Sequence, residues 1–162
     1  MSRLLEKKIA DLRKLKELIP HLKSRGKKVV FTNGCFDLLH YGHAKYLQDA
    51  RKKGDILIVG INSDASVKRI KGKVRPVVGE KDRLRLVASL ESVDYAVLFN
   101  EDTPLKIIKA VKPNVLVKGA DWNRNNIVGR DIVLSYGGCV STIKFIKGYS
   151  TTGLIRKIAK RS

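Results

Sequence analysis

Two of the chain's three histidines, His40 and His43, lie three residues apart in the segment NGCFDLLHYGH, which follows an apolar, β-branched run. Imidazoles at this spacing suit a metal centre, a pair of hydrogen-bond donors to a reacting group, or a helix cap beside a packed ring. A zinc site is the least favoured of these, because no third soft ligand completes a zinc-like spacing. If a helix begins near Tyr41 or Gly42, its free N–H groups and its dipole favour a phosphate.

A second polar segment, GYSTTGLIRKI, places hydroxyl residues directly before an apolar run with helical spacing. Ser150, Thr151 and Thr152 are natural N-cap and first-turn residues, and their hydroxyl and N–H groups would form another anion cradle. Either segment alone is better explained by an ordinary capped helix. Together they indicate polyphosphate binding if the fold brings both helix starts to one face, and Gly42 would let a phosphate approach the backbone closely.

The elements around these segments alternate between strands and helices. Strands are predicted at VVFTNG, DILIVGIN, DYAVLFN, PNVLVKGADW and CVSTIKFI, with helical patterns between them. The short connections favour the α/β class, a doubly wound five-stranded parallel sheet preceded by an N-terminal helical extension. We predict a boundary between an extension over residues 1–26 and a domain over residues 27–162.

Ligands of such sheets bind beyond the carboxyl ends of the strands, where the winding direction reverses. The segments that come after the predicted strands are residues 33–43, 62–75, 99–103, 118–128 and 147–152. One of them holds Lys71 and Arg75 in a basic loop, KRIKGKVRPV, whose charges suit either a phosphate or a solvated surface. Another holds Lys118, Asp121 and Trp122 in VKGADW, where the indole suits stacking on a base and packing in the protein equally well.

Charge and composition restrict the partners. Of the 162 residues, 34 are Lys or Arg and 15 are Asp or Glu, so the formal net charge is +19. Such a charge favours anionic partners, either phosphorylated small molecules or nucleic acid. Nucleic acid is the less favoured, because the lysines are spread along the chain and aromatic residues, at 6%, form no stacking platform. No apolar run is long enough to span a membrane.

The N-terminal segment MSRLLEKKIADLRKLKEL is charged throughout and lacks the apolar core of a signal peptide. It predicts one amphipathic helix. Its apolar positions are Leu4, Leu5, Ile9, Leu12, Leu15, Leu18 and Ile19. Cys35 and Cys139 lie far apart in apolar contexts, so we predict two packed thiols, no disulfide and a reducing, cytoplasmic location.

The two motifs resemble those of a known superfamily. GCFDLLHYGH is similar to the H-x-G-H signature of the nucleotidyltransferases, and YSTTGLIRKI is similar to their second motif, which starts a helix. From residue 29 to about residue 158 the chain resembles the D-glycero-β-D-manno-heptose 1-phosphate adenylyltransferase domain of ADP-heptose synthesis. The resemblance implies a Rossmann-like enzyme in which a sugar 1-phosphate attacks the α-phosphate of ATP, with Mg²⁺ held mostly by substrate and water.

The resemblance also implies roles for particular residues. His40, His43 and Lys71 would act on the reacting phosphates, and Asp37 and Arg75 would bind the acceptor. The implied nucleotide-binding residues are Asn33, Gly34, Cys35, Phe36, Gly42, Lys118, Gly119, Asp121, Trp122, Ser150, Thr151 and Thr152. Small-molecule partners are expected, without nucleic acid or membrane, and homodimers are common in the family. Two alternatives stay open: a cytidylyltransferase that makes a CDP-alcohol such as CDP-glycerol, and a nucleic-acid-binding module.

Overall fold

The computed structural model describes residues 2–120 and 126–161. Within them, five parallel strands form one sheet in the order β3-β2-β1-β4-β5. The strands are β1 Val29–Gly34, β2 Ile56–Asn62, β3 Tyr95–Phe99, β4 Val115–Gly119 and β5 Cys139–Ile143. The helices are α1 Ser2–Lys8, α2 Leu12–Ser24, α3 Tyr41–Arg51, α4 Asp64–Lys71, α5 Glu80–Ser89, α6 Leu105–Val111, α7 Arg130–Ser135 and α8 Thr151–Ala159. The predicted fold class and strand count are confirmed.

Helices cover both faces of the sheet, which is why its central strands are apolar on both sides. One core cluster packs the sheet against α3 and α5 and includes Leu47 and Val87. The other packs the opposite face against α2 and α6 and includes Leu15 and Ile108. These two cores fix the strands, so that the segments after the strand ends are held on a rigid support.

The winding direction of the sheet reverses between β1 and β4. These two strands pair only through Val30 and Phe31 of β1, whereas β1 pairs with β2 along its whole length. Beyond Phe31 the ladder between β1 and β4 is therefore open. A crevice at such a reversal is the usual ligand site of a doubly wound sheet.

The prediction of one continuous N-terminal helix is wrong, because the chain leaves the helix at residues 9–11. Ile9 forms a parallel bridge with Ala96 of β3, and the N–H of Ala10 donates to the Ala96 carbonyl at 2.9 Å. Asp11 then caps the start of α2. The unpaired edge of β3 offers the backbone hydrogen bonds that end the first helix.

The second of the two N-terminal helices is packed on the sheet. Leu15 and Ile19 of α2 are buried in the same cluster as residues of β1 and α6. The boundary after residue 26 stays a prediction, since these contacts show only that the N-terminal segment shares a core with the sheet.

The prediction of two packed thiols is wrong for one of them. Cys139 is exposed because it begins β5, an edge strand of the sheet, whereas Cys35 is partly buried. Both are free thiols. No helix in the described ranges is long and apolar enough to cross a membrane.

Candidate active site

A cavity of about 440 Å³ lies at the carboxyl ends of the strands. All five segments predicted from the strand ends contribute to its wall. The predicted site residues that line it are Asn33, Gly34, Cys35, Phe36, Asp37, His43, Lys71, Arg75, Lys118, Gly119, Thr151 and Thr152. Three others, His40, Gly42 and Ser150, lie at the helix starts beside the cavity without lining it. Asp121 and Trp122 lie outside the described residues.

The histidine pair forms the start of α3. His40 is the N-cap residue, and its Nδ1 accepts a hydrogen bond from the backbone N–H of His43 at 3.3 Å. The two rings stack, with centroids 3.7 Å apart and planes inclined by 14°. Because Nδ1 of His40 is an acceptor, the neutral ring carries its proton on Nε2. The helix cap therefore fixes the tautomer of this histidine.

His43 is the member of the pair that lines the cavity. Burial lowers its pKa to about 4, and the charge of His40 acts in the same direction. Burial also lowers the pKa of His40. Nδ1 of His43 is buried and makes no well-formed hydrogen bond to a described residue, although the nearby backbone of Leu38 partly offsets the lowering of the pKa of the ring. A buried polar atom without a partner is rare in folded proteins and suits a site that a ligand completes.

A tight turn after β1 supports the His43 ring. Phe36 has a φ of +48°, in the left-handed region that a side chain rarely adopts. This turn packs the Phe36 ring edge-on against His43, with centroids 5.3 Å apart. A Cβ at Gly34 would lie 3.1 Å from the same ring, so the absence of a side chain there permits the turn. A strained backbone of this kind is found where a site must be held in one geometry.

The start of α8 contacts the start of α3. Ser150 caps α8 by accepting the N–H of Gly153 at 3.0 Å, as its sequence position predicts. A Cβ at Gly42 would lie only 2.8 Å from the Cβ of Tyr149, the residue before this cap. The two helix starts therefore share one face of the sheet, as predicted. The space beside Gly42 is occupied by Tyr149 in the free protein, so a phosphate cannot use it there.

Cations and amides complete the cavity wall. Lys118 of β4 donates through Nζ to Oδ1 of Asn33 of β1, across the open part of the β1–β4 ladder. Lys71 at the end of α4 also lines the cavity. Nε of Arg75 donates to Oδ2 of Asp37 at 2.6 Å. Three cationic side chains around one cavity make it suitable for a polyanion such as a triphosphate.

Sequence reasoning missed several residues of the wall. Asn62, Asp102 and Thr103 lie in segments that we predicted, and the rule that sites lie beyond strand ends could have named them. Tyr46 and Phe145, whose ring centroids are 5.5 Å apart, lie outside those segments. Nothing in the sequence marks these two residues as part of a site, because an aromatic residue in a helix or after a strand more often packs in the hydrophobic core.

An α/β sheet that joins two helix N-termini and a stacked histidine pair at one cavity is the architecture of a nucleotidyltransferase. A family model described as cytidylyltransferase-like matches residues 31–156. The chain belongs to this family, which confirms the predicted superfamily and the predicted enzyme class.

Curated relatives match most of the chain. The bifunctional protein HldE of Pelobacter propionicus is 52% identical over 156 residues, which make up 96% of this chain and 32% of that protein. The bifunctional protein HldE of Geobacter metallireducens is 54% identical over 153 residues, or 94% of this chain and 31% of that protein. The chain thus spans about a third of the length of these relatives.

A solved structure has the same fold. It is the crystal structure of the lipopolysaccharide core biosynthesis protein from Thermoplasma volcanium, which is 34% identical and superposes with a TM-score of 0.62. The superposition covers 77% of this chain and 100% of that one. It supports the assignment of the described strands and helices to one nucleotidyltransferase fold.

Proposed function

We propose that the chain is an adenylyltransferase: a sugar 1-phosphate attacks the α-phosphate of ATP, pyrophosphate leaves and an ADP-sugar forms. The observation that carries the proposal is the contact between the starts of α3 and α8, beside a cavity lined by His43, Thr151 and Thr152. Two helix N-termini with imidazoles between them suit a triphosphate whose α-phosphorus is attacked in line.

The acceptor that we propose is D-glycero-β-D-manno-heptose 1-phosphate. Its support is the resemblance of the chain to the adenylyltransferase domain that uses this sugar. Relatives named bifunctional HldE and lipopolysaccharide core biosynthesis protein are consistent with it. A cavity of about 440 Å³ has the volume of a typical small-molecule site.

The proposed chemistry requires positioning and stabilisation of charge more than covalent catalysis. An oxygen of the acceptor phosphate bonds to the α-phosphorus, and the bond from that phosphorus to the bridging oxygen of pyrophosphate breaks. His43 and His40 would donate to the α-phosphate and the bridging oxygen as negative charge builds there. Their lowered pKa makes both rings neutral donors in the free protein. A bound triphosphate would raise both pKa values, because a nearby anion favours the imidazolium.

The remaining predicted residues divide between the two substrates. Thr151 and Thr152 would hold the β- and γ-phosphates through hydroxyl and N–H groups at the start of α8. Lys71 and Arg75 would neutralise the phosphate of the acceptor or of the departing pyrophosphate. The nucleoside would lie against the ends of β1 and β4, beside Lys118.

Mg²⁺ enters the proposal as the partner of ATP. In the described ranges there is no group of three or more His, Cys, Asp or Glu side chains that could hold a metal ion. The ion prefers phosphate oxygens and water and would arrive bound to the triphosphate.

We also infer a cytoplasmic homodimer. The family resemblance supports the dimer, and the two free thiols, Cys35 and Cys139, support a reducing compartment. Light scattering of the purified chain tests the first statement, with a mass of one protomer as the contradictory result. Fractionation of cells that express it tests the second, with recovery outside the cytoplasm as the contradictory result.

A cytidylyltransferase is the second candidate, because the matching family model is described as cytidylyltransferase-like. Pyrophosphate release separates the candidates, with ATP or CTP offered against heptose 1-phosphate and glycerol 3-phosphate. Our proposal expects release only from ATP with heptose 1-phosphate. Release only from CTP with glycerol 3-phosphate would replace it with the alternative. No release from any pair, together with tight and salt-sensitive RNA binding, would favour the nucleic-acid-binding module.

The same assay tests the histidine pair. His43→Gln should lower kcat by roughly 10²- to 10³-fold, the usual effect of removing one donor to a charged transition state. His21→Gln, at an exposed position of α2, is the matched control and should keep full activity. A mild loss in His43→Gln would mean that the residue is only part of the helix start.

A further inference from the structure

The carboxylate of Asp37 accepts its hydrogen bonds from the loop between α4 and α5. This loop, residues 72–79, is called the α4–α5 loop below. Oδ2 of Asp37 accepts from Nε of Arg75 at 2.6 Å. Its Oδ1 accepts the backbone N–H groups of Val77 and Val78, each at 2.8 Å. The Asp37 side chain has no exposed area. Asp37 therefore stands among the residues around the cavity, but its carboxylate oxygens are covered and not exposed to a sugar hydroxyl.

These contacts keep Asp37 ionised although it is buried. Burial by itself raises the pKa of the carboxyl group, but the hydrogen bonds from Val78, Val77 and Arg75 together outweigh it, so that the pKa lies below its ordinary value. A buried carboxylate that is fully paired in this way belongs to the framework of a site.

A second buried charge holds the same loop from the other side. Arg83 of α5 is completely buried, and its Nε donates to the carbonyl of Val78 at 2.9 Å. Its terminal nitrogens donate to the carbonyl of Cys35 and to the carboxylate of Asp64. Val78 is thus held through its N–H by Asp37 and through its carbonyl by Arg83. Asp37 connects the α4–α5 loop directly to the segment that comes after β1, and Arg83 connects the two through its second bond, to the carbonyl of Cys35.

The loop carries a cation into the cavity wall. Arg75 lines the cavity beside Lys71, and its side chain is 16% exposed. It binds Asp37 through Nε, and its two terminal amino groups make no hydrogen bond to any described residue. A guanidinium held through Nε keeps the planar pair of donors that matches a phosphate.

We propose that Asp37 is a positioning residue, which fixes the α4–α5 loop so that Arg75 faces the phosphates in the cavity. Asp37 does not bind the acceptor sugar, and of the two residues to which the resemblance gave that role only Arg75 keeps it. The identity of the phosphates rests on the proposed function. The holding of the loop does not, because it depends only on contacts within the protein.

Limited proteolysis tests the holding of the loop without any substrate. Trypsin can cleave after Lys73, where the next residue, Val74, is 87% exposed. Asp37→Asn should speed this cleavage by roughly ten- to a hundredfold, the factor expected when a charge-assisted hydrogen bond no longer opposes local opening. Asp131→Asn, which removes a highly exposed carboxylate on α7, is the matched control and should leave the rate unchanged.

Arg75→Gln breaks the same ion pair from the loop side, so it should also speed cleavage and serves if Asp37→Asn does not fold. An unchanged cleavage rate in the folded variants would overturn the proposal. An inactive wild-type chain with a protected loop would refute the proposed function while leaving the positioning role supported.

A double-mutant cycle then shows whether Asp37 acts through Arg75. If it does, kcat/KM of the Asp37→Asn, Arg75→Gln double variant should equal that of Arg75→Gln alone, because Asp37 has no side chain left to position once Arg75 is replaced. The acceptor KM should rise in all three variants, whereas a general loss of stability would lower the active fraction without changing KM. Losses that multiply would mean that Asp37 has its own contact with substrate, and would overturn the proposal.

Discussion

At the scale of single residues, the site depends on a histidine pair that is uncharged in the free protein. The ring centroids are 3.7 Å apart, so two imidazolium charges would repel strongly. Burial and the neighbouring His40 lower the pKa of His43 to about 4, which keeps the pair neutral near pH 7. Each neutral ring keeps one N–H that can donate to a phosphate, and in His40 the helix cap places that proton on Nε2.

This lowered pKa predicts how stability depends on pH. The unfolded chain binds a proton on His43 below its ordinary pKa of 6.5, whereas the folded chain binds it only near pH 4. The unfolded state therefore holds more protons between these values, and the free energy of unfolding should fall as the pH falls from 6.5 to 4. Denaturant unfolding at several pH values in this window measures the slope.

The variant His43→Asn, which cannot titrate in this window, should flatten that slope. The control is Gln48→Asn, which changes an exposed, uncharged residue of α3 and should keep the wild-type slope. Asp37 contributes in the same direction but at lower pH, below the ordinary carboxyl pKa of 3.8, because its folded pKa is lowered. A wild-type slope in His43→Asn would show that the histidine is not held neutral by folding.

At the scale of elements, the proposed function requires that α3 and α8 begin close together. The connection that leads to α8 packs directly on the first turn of α3, with Tyr149 against Gly42. The rings of Tyr41 and Tyr149 also contact each other, with centroids 5.4 Å apart. This contact sets the distance between the two sets of free N–H groups that would hold one triphosphate.

Substituting Gly42 by Ala should separate the helix starts. The new Cβ would lie 2.8 Å from the Cβ of Tyr149, which is closer than non-bonded carbon atoms approach in folded proteins. Overpacking of this kind costs about 1–3 kcal/mol of stability, and kcat should fall more than stability alone explains because α8 must move. Thermal unfolding and pyrophosphate release measure the two effects.

Gly79→Ala is the matched control for this substitution. The residue has a φ of −62°, and a Cβ there would meet only Oδ2 of Asp64, at 3.9 Å. It should keep nearly full activity and lose only a small part of the free energy of unfolding, because Gly79 is the N-cap of α5 and alanine is a poorer residue there. Wild-type kcat in Gly42→Ala would show that the contact between α3 and α8 does not set the geometry of the site.

The helix starts could be predicted from sequence because each is determined locally. His40 and Ser150 both cap the helices that begin after them, as polar residues before helical patterns do. The break near Ile9 could not be predicted, since it depends on the free edge of β3, far away in sequence. The pairing of Asp37 with Arg75 was missed for the same reason: it joins two loops that only the fold brings together.

At the scale of the whole molecule, the chain has a formal net charge of +19. The cavity wall carries three of the positive side chains, Lys71, Arg75 and Lys118. A field of this sign raises the local concentration of anionic substrates. The spread of lysines along the chain indicates attraction over the whole surface, and in the proposed function the cavity cations would provide the specific contacts. Substrate capture is then the step that should respond to salt.

Raising the ionic strength from about 0.05 M to about 0.5 M shortens the range of these charges to a few ångströms. The KM for ATP should rise several-fold while kcat changes little, because the transition state is held by short contacts inside the cavity. Steady-state kinetics in NaCl series measure this. Potassium glutamate at equal ionic strength controls for chloride binding. A constant KM for ATP in both salts would show that the positive charge of the protein does not help to capture ATP.

The central claim is that the two helix starts hold a triphosphate so that its α-phosphorus, and no other, is attacked. Incubation of the protein with heptose 1-phosphate and ATP labelled at either the α- or the γ-phosphorus tests this directly. The account predicts that the α-label appears in the sugar nucleotide and the γ-label in pyrophosphate. A γ-label in the sugar product, or no labelled sugar nucleotide at all, would contradict it.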